Sequence, residues 1–250
     1  MKNNLLLLSG NDIPFPQARL VIHQPTVKEI SFMGETDFYK TCEIVIFSKD
    51  NLKKEDKIAL EHSTNFEIFM AIINDQRTPK LDKINIQLLF NLLFPKYIIN
   101  FNKESIDFTD AEDDSFKTKI DSSNFDFFQE YIKQIFCLDR GGKNKENSFN
   151  PGNDKAREIA EKIKRGREVA AKSKGQHSDN INILNRYISI LAVGLHKDIN
   201  NLMNYTIYQL YDEFERFELY ISYDINFKAR LAGATDLDDV EDWMKDIHIL

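Results

Sequence analysis

The chain has 250 residues, 42% of them apolar and 29% charged, with a net charge of -7. That length suits one large domain or two smaller ones, and the apolar share is enough for a sizeable core. The acidic balance excludes a general attraction of the whole surface to nucleic acid or membrane, and Cys42 and Cys137, the only cysteines, exclude a disulfide-framed secreted domain. Both thiols read as small buried hydrophobes.

The start of the chain holds four leucines, Leu5 to Leu8, between Asn4 and Ser9-Gly10. That run is shorter than the roughly 7–15 apolar residues of a signal-peptide core, and no stretch approaches the ~20 of a membrane helix. The expectation is a protein that stays where it is made. Residues 11–17 carry Pro14 and Pro16 and read as an extended or turn segment, because proline fixes φ and disfavours helix at the residue before it. Residues 19–23 are β-rich and predict a short strand, stopped by Gln24-Pro25-Thr26. Thr26 stands three residues before Glu29, the spacing of a capping box, so a helix is expected from about Val27. Gly34 predicts a break in it.

Residues 65–73 predict a short buried helix, and Pro79 separates it from a second over 81–94, ended by Pro95. Leu81, Ile84, Leu88 and Leu92 give that second helix an apolar spacing. Three strands are then expected, at 97–101, 105–108 and 116–120, the last two separated by the acidic turn 110–114. A helix over 125–138 follows, with Phe128, Ile132, Ile135 and Phe136 on one face. Residues 139–153 are rich in Gly, Asn and Pro and mark a loop or a linker. The predicted class is therefore α+β, mainly helical: a mixed N-terminal domain over 1–138, then a helical C-terminal domain over 154–250.

The C-terminal part opens on a basic helix, 154–174, with eight basic against four acidic side chains. Lys162, Arg165, Arg167 and Lys172 are its candidate contacts to nucleic acid or to a partner. It carries no aromatic rings for base stacking, and Glu158 with Lys162 and Glu161 with Arg165 sit at i, i+4, which suits a solvated or partner-contacting helix better than a nucleic-acid reader. A helix over 182–196 with Ile183, Tyr187, Ile190, Leu191 and Leu195 comes next.

The longest predicted helix runs from Tyr205 to about Ala232, with Gly233 as its terminating glycine. Ile207, Leu210, Tyr211, Phe214, Phe217, Ile221 and Phe227 form a stripe near the helical period, widened by Tyr208, Tyr220 and Tyr223. One small neighbour cannot cover so wide a face, so part of it is expected to meet another chain, Tyr and Phe being enriched in interface cores. Tyr208, Tyr211, Phe214, Phe217 and Tyr220 are the candidate binding residues on this helix. The acidic segment 236–244 predicts a further short helix, whose Trp243 and Met244 either dock back or anchor in a partner's groove.

Chemistry-bearing patterns are not found. The five histidines include no i, i+4 pair, there is no C-x-x-C, no Gly-rich phosphate loop and no G-x-S-x-G. The acidic stretch 107–114 lacks the Gly and Glu that a calcium loop places at its sixth and twelfth positions. No catalytic residue, metal site or cofactor is expected, and the chain reads as a non-enzymatic protein that grips other proteins.

Two stretches sharpen this. One is Ile22-His23-Gln24-Pro25-Thr26-Val27-Lys28-Glu29-Ile30 with Met33-Gly34-Glu35 and Phe38. The other is Tyr205-Thr206-Ile207-Tyr208-Gln209-Leu210, continuing through Tyr223-Asp224 and Lys228-Ala229-Arg230-Leu231-Ala232-Gly233-Ala234 to Asp242-Trp243-Met244. Together they resemble the tail-morphogenesis proteins of tailed bacteriophages, the tail assembly chaperones and baseplate assembly proteins. The resemblance lies at the two ends of the chain and does not extend to its middle. It implies a late protein in the host cytoplasm, or in the virion, whose partners are tape-measure, tube or baseplate subunits, with self-association also open. A structural role in the tail or baseplate and a nucleic-acid accessory role for 155–174 are the alternatives.

Overall fold

In the computed structural model, residues 4–49, 62–138, 182–233, 242–245 and 247 are described. The basic helix with Lys162, Arg165, Arg167 and Lys172, the 139–153 segment and most of the acidic segment before Trp243 lie outside them. Among the described residues the fold is α+β and mainly helical, with two small antiparallel sheets in the N-terminal part and helices alone in the C-terminal part.

The N-terminal leucines form a short helix, α1 (Asn4–Ser9). The proline-bearing segment then supplies a strand, β1 (Ile13–Phe15), where a turn was an equal expectation; it pairs antiparallel with β2 (Leu20–Ile22). Pro14 is tolerated because it points outward in a two-stranded ribbon, opposite Val21, while Ile13 and Phe15 face the core. The capping box at Thr26 and Glu29 is present and starts α2 (Val27–Ser31). Gly34, at φ +86°, makes the expected break, since a left-handed backbone is open to glycine at little cost. It leads into α3 (Glu35–Ile46).

A second capping box, Thr64 with Glu67, opens α4 (Asn65–Asn74). Next comes α5 (Lys80–Leu93). Leu81, Ile84 and Leu88 are exposed, and the buried side is made by Ile86, Leu89, Phe90 and Leu93. Both stripes have helical spacing, and what decides between them is Phe90, whose ring meets Phe69, Phe101 and Phe128. The three expected strands are β3 (Tyr97–Phe101), β4 (Ile106–Asp110) and β5 (Lys117–Ile120), a meander in the order β3-β4-β5. α6 (Phe125–Ile135) closes the N-terminal part, with Phe128, Ile132, Ile135 and Phe136 all buried.

Beyond the undescribed stretch lie α7 (Ile183–Gly194), α8 (Ile199–Met203) and α9 (Ile207–Leu231). The inner face of α7 is Leu184, Ile188 and Leu191, and Ile190 is exposed. The phenylalanines are the substance of the core. Phe15, Phe38, Phe69, Phe90, Phe94, Phe108, Phe125, Phe128 and Phe136 are fully buried. Several meet edge to face at about the spacing that favours ring quadrupoles: Phe94 on Phe108 at 4.8 Å and Phe38 on Phe136 at 4.9 Å. Leu184, Ile188, Leu191, Leu202, Ile207, Leu210 and Phe214 join the same cluster, so residues on both sides of 139–153 share one core. Cys42 and Cys137 are both buried free thiols, and burial pushes the Cys42 thiol well up, which leaves it unreactive. Among the described residues no helix is long and apolar enough to cross a membrane.

Candidate protein-binding helix

The candidate surface is built on α9, and its start is held by polar groups. Thr206 is the N-cap: its hydroxyl accepts from the Gln209 backbone N–H, and the Gln209 side chain accepts from the Thr206 N–H. Two orphan donors are satisfied at once, a contribution of about 1 kcal/mol. Thr206 also bridges to Thr26, the N-cap of α2, and the Val27 N–H donates to the Tyr205 carbonyl at 2.8 Å. The two capping boxes thus stand side by side, one from each end of the chain. Gln209 Nε2 donates to the Leu8 carbonyl at 2.9 Å, which ties α1 to the same point.

From there the first half of α9 is core. Ile207, Tyr208, Leu210 and Phe214 are buried. Phe214 stacks on Tyr187 of α7, centroids 3.7 Å apart and planes 9° apart, and Tyr211 meets the edge of the same ring at 5.2 Å. The Tyr211 hydroxyl lies 3.3 Å from that of Tyr39. Burial drives both phenols up, Tyr211 to about 12, with the Tyr39 hydrogen bond opposing the rise at Tyr211. At ordinary pH they are neutral hydrogen-bonding phenols, not acid–base groups. Phe217 packs against Gly194, where any Cβ would collide with the tip of its ring. At the flank, Lys197 bonds the Tyr205 hydroxyl at 2.8 Å and pairs with Glu213.

The second half differs. Past Phe214 no side chain of α9 is fully buried. Tyr220 (46%), Tyr223 (39%), Phe227 (51%) and Leu231 (74%) are exposed and follow one another at i, i+3, i+7 and i+11, a single apolar stripe. Tyr223 and Phe227 lie parallel, centroids 6.2 Å apart and planes 6° apart. Part of the stripe is met from within the chain. Trp243 sets its edge against Tyr220 at 5.5 Å, and the Arg216 guanidinium donates to the carbonyls of Trp243 and Lys245. Trp243 therefore docks back, in a turn where a helix was expected, while Met244 remains 70% exposed beside it.

The residues singled out on the sequence thus part company. Tyr208 and Phe214 are core, and Tyr211 and Phe217 pack against it, so the core uses these four rings. Tyr220, Trp243 and Met244 stay at the surface, joined by Tyr223, Phe227 and Leu231. At 3.6 residues per turn, Tyr220, Tyr223, Phe227 and Leu231 lie on a different side of the helix from Leu210 and Phe214, a separation already present in the residue spacing.

A second polar group went unnoticed in the sequence. His23 Nδ1 lies 2.9 Å from Asp12 and its Nε2 3.5 Å from Glu29, with Lys96 3.7 Å from Asp12. No hydroxyl or thiol faces the ring among these contacts, and the group ties β1 and β2 to the α2 cap. Burial works against ionising Glu29, but hydrogen bonds from the Thr26 backbone and hydroxyl, with His23 beside them, hold its carboxyl below the usual range. No group of three or more His, Cys, Asp or Glu poised for a metal occurs among the described residues.

Comparison with known proteins finds a family likeness in the C-terminal part. The family model of the YomV second domain matches residues 172–248, a little under a third of the chain. That range contains α7, α8 and all of α9 with the Trp243 turn. The chain is thus similar over this stretch to a phage-derived domain, which points to a phage-related protein. No curated protein and no solved structure matches.

Proposed function

We propose that this chain is a non-enzymatic bacteriophage assembly protein that holds a helical tail client, such as a tape-measure segment, on the outer half of α9. The observation that carries the reading is the stripe Tyr220, Tyr223, Phe227 and Leu231, exposed on a helix whose other half is anchored in the core. Exposed apolar residues in a continuous row mark interaction sites rather than scattered surface residues. Such a row fits a client helix presenting its own i, i+3, i+7 anchors. The match to a phage-derived domain over 172–248, and the resemblance of the two chain ends to tail-morphogenesis proteins, support phage assembly as the setting. The host cytoplasm and then the virion are the compartments that follow from it.

Co-expression pull-down with tape-measure fragments tests the proposal. Tyr223→Asp plus Phe227→Asp should abolish retention while leaving the thermal melt intact. Undiminished capture by that folded variant would sink the reading. A structural part of the tail or baseplate is the alternative, and mass spectrometry of purified particles separates the two: a stoichiometric signal favours the structural part, its absence the chaperone.

A further inference from the structure

The outer half of α9 carries a second row of side chains, on roughly the opposite flank from Tyr223 and Phe227. Ile221 (37%) and Ile225 (62%) continue the direction of Leu210 and Phe214 beyond the end of the core. Glu218 and Lys228 flank them, so the row reads acid, Ile, Ile, base along the chain. This order is its own complement when reversed. A two-fold axis crossing the helix at the level of Tyr223 sets Ile221 against Ile225 of a second copy and Glu218 against Lys228 of that copy, each contact made twice.

We infer that two copies of this chain pair antiparallel through the Ile221–Ile225 flank of α9, with Glu218 and Lys228 setting the register. Closed two-fold pairing requires that the same patch serve both copies, and here the patch is self-complementary in shape and in charge. Opposite charges across the axis favour the antiparallel arrangement, whereas a parallel one would set Glu218 on Glu218 and Lys228 on Lys228. The Glu218 carboxyl is held above its ordinary range by partial burial and by Glu215 beside it, with Arg186 opposing, so a further cation is welcome there. Lys228 already pairs with Asp224 at 2.6 Å on its own helix, and its side chain is 71% exposed, open to a second carboxylate. The overlapping stretch, residues 217–229, is about 18 Å long. A contact of that length lies at the small end of specific interfaces, so the pairing is reversible and concentration-dependent.

Sedimentation equilibrium of the full chain from low micromolar to hundreds of micromolar tests the inference. The mean mass should climb with concentration from 29.2 kDa toward twice that value, and Ile225→Glu should keep it at the monomer. Glu218→Lys and Lys228→Glu should each weaken pairing several-fold, and the two together should restore it. A monomer at every concentration overturns the inference, as does association that ignores Ile225→Glu or is not recovered in the double exchange. Neither flank residue belongs to the Tyr223–Phe227 row, so client capture by Ile225→Glu reads that row separately.

Discussion

The two halves of α9 are made of the same kinds of residue, yet one is core and the other surface. Residues 207–217 place Ile207, Tyr208, Leu210 and Phe214 in the interior; residues 218–231 leave Tyr220, Tyr223, Ile225, Phe227 and Leu231 in solvent. The difference is not in propensity or in apolar content. It lies in the neighbours: the first half is met by α1, α6 and α7, with Tyr187 and Gly194 shaped to Phe214 and Phe217, and in the second half the Trp243 turn covers part of one side. One aromatic helix is thus an anchor at one end, where its stability is drawn, and an exposed apolar row at the other.

That contrast can be broken most forcefully at Phe214. Phe214→Ala empties a stacked, buried site and should lower stability by about 3 kcal/mol, read as a shift of the denaturation midpoint at unchanged slope. Gly194→Ala drives a methyl into the Phe217 ring and should cost about 1–3 kcal/mol, a value that Phe217→Leu in the same chain should relieve. Thr206→Ala removes the cap where the two chain ends meet, for a loss of about 1 kcal/mol by chemical denaturation. In the outer half, Phe227→Ala should change stability by less than about 0.5 kcal/mol while reducing client capture. A large loss of stability there would mean that the outer half is core after all.

The acid side of the fold offers a finer probe. Glu29 has its folded carboxyl below the usual range, so the stability it contributes is present above its unfolded titration and is lost as pH falls through the lowered folded value. Melts taken from neutral pH downward should show a destabilisation that Glu29→Gln, already lacking the charge, shows to a smaller degree.

Much of this architecture was legible in local chemistry. Thr26 with Glu29, Gly34, the prolines around the 81–94 helix and the alternating strands at 97–120 all found their places, because caps, breaks and strand runs are decided within a few residues. The helix α8 escaped notice, being a single short turn of chain capped by Asp198. The errors were of another kind. On α5 the row Leu81, Ile84 and Leu88 is exposed while Ile86, Leu89, Phe90 and Leu93 are buried, and on α9 the rings of Tyr208, Tyr211, Phe214 and Phe217, expected at a binding face, are used by the core. In both helices two apolar rows satisfy the same period, and nothing within the helix ranks them. The His23, Asp12 and Glu29 group was likewise hidden, since its members are brought together by the pairing of β1 with β2 and the α2 cap.

The sequence by itself determined a mainly helical α+β chain with a phenylalanine-rich core, where most helices begin and end, and a long aromatic helix near the C-terminus. Those features follow from capping side chains, backbone limits of Gly and Pro, and periodicity, all of them local. Only the tertiary structure decided which rows of α5 and α9 face inward, that the caps at Thr26 and Thr206 join, and that Trp243 folds back on Tyr220. Burial depends on what stands opposite a side chain, and that is fixed by packing between distant segments.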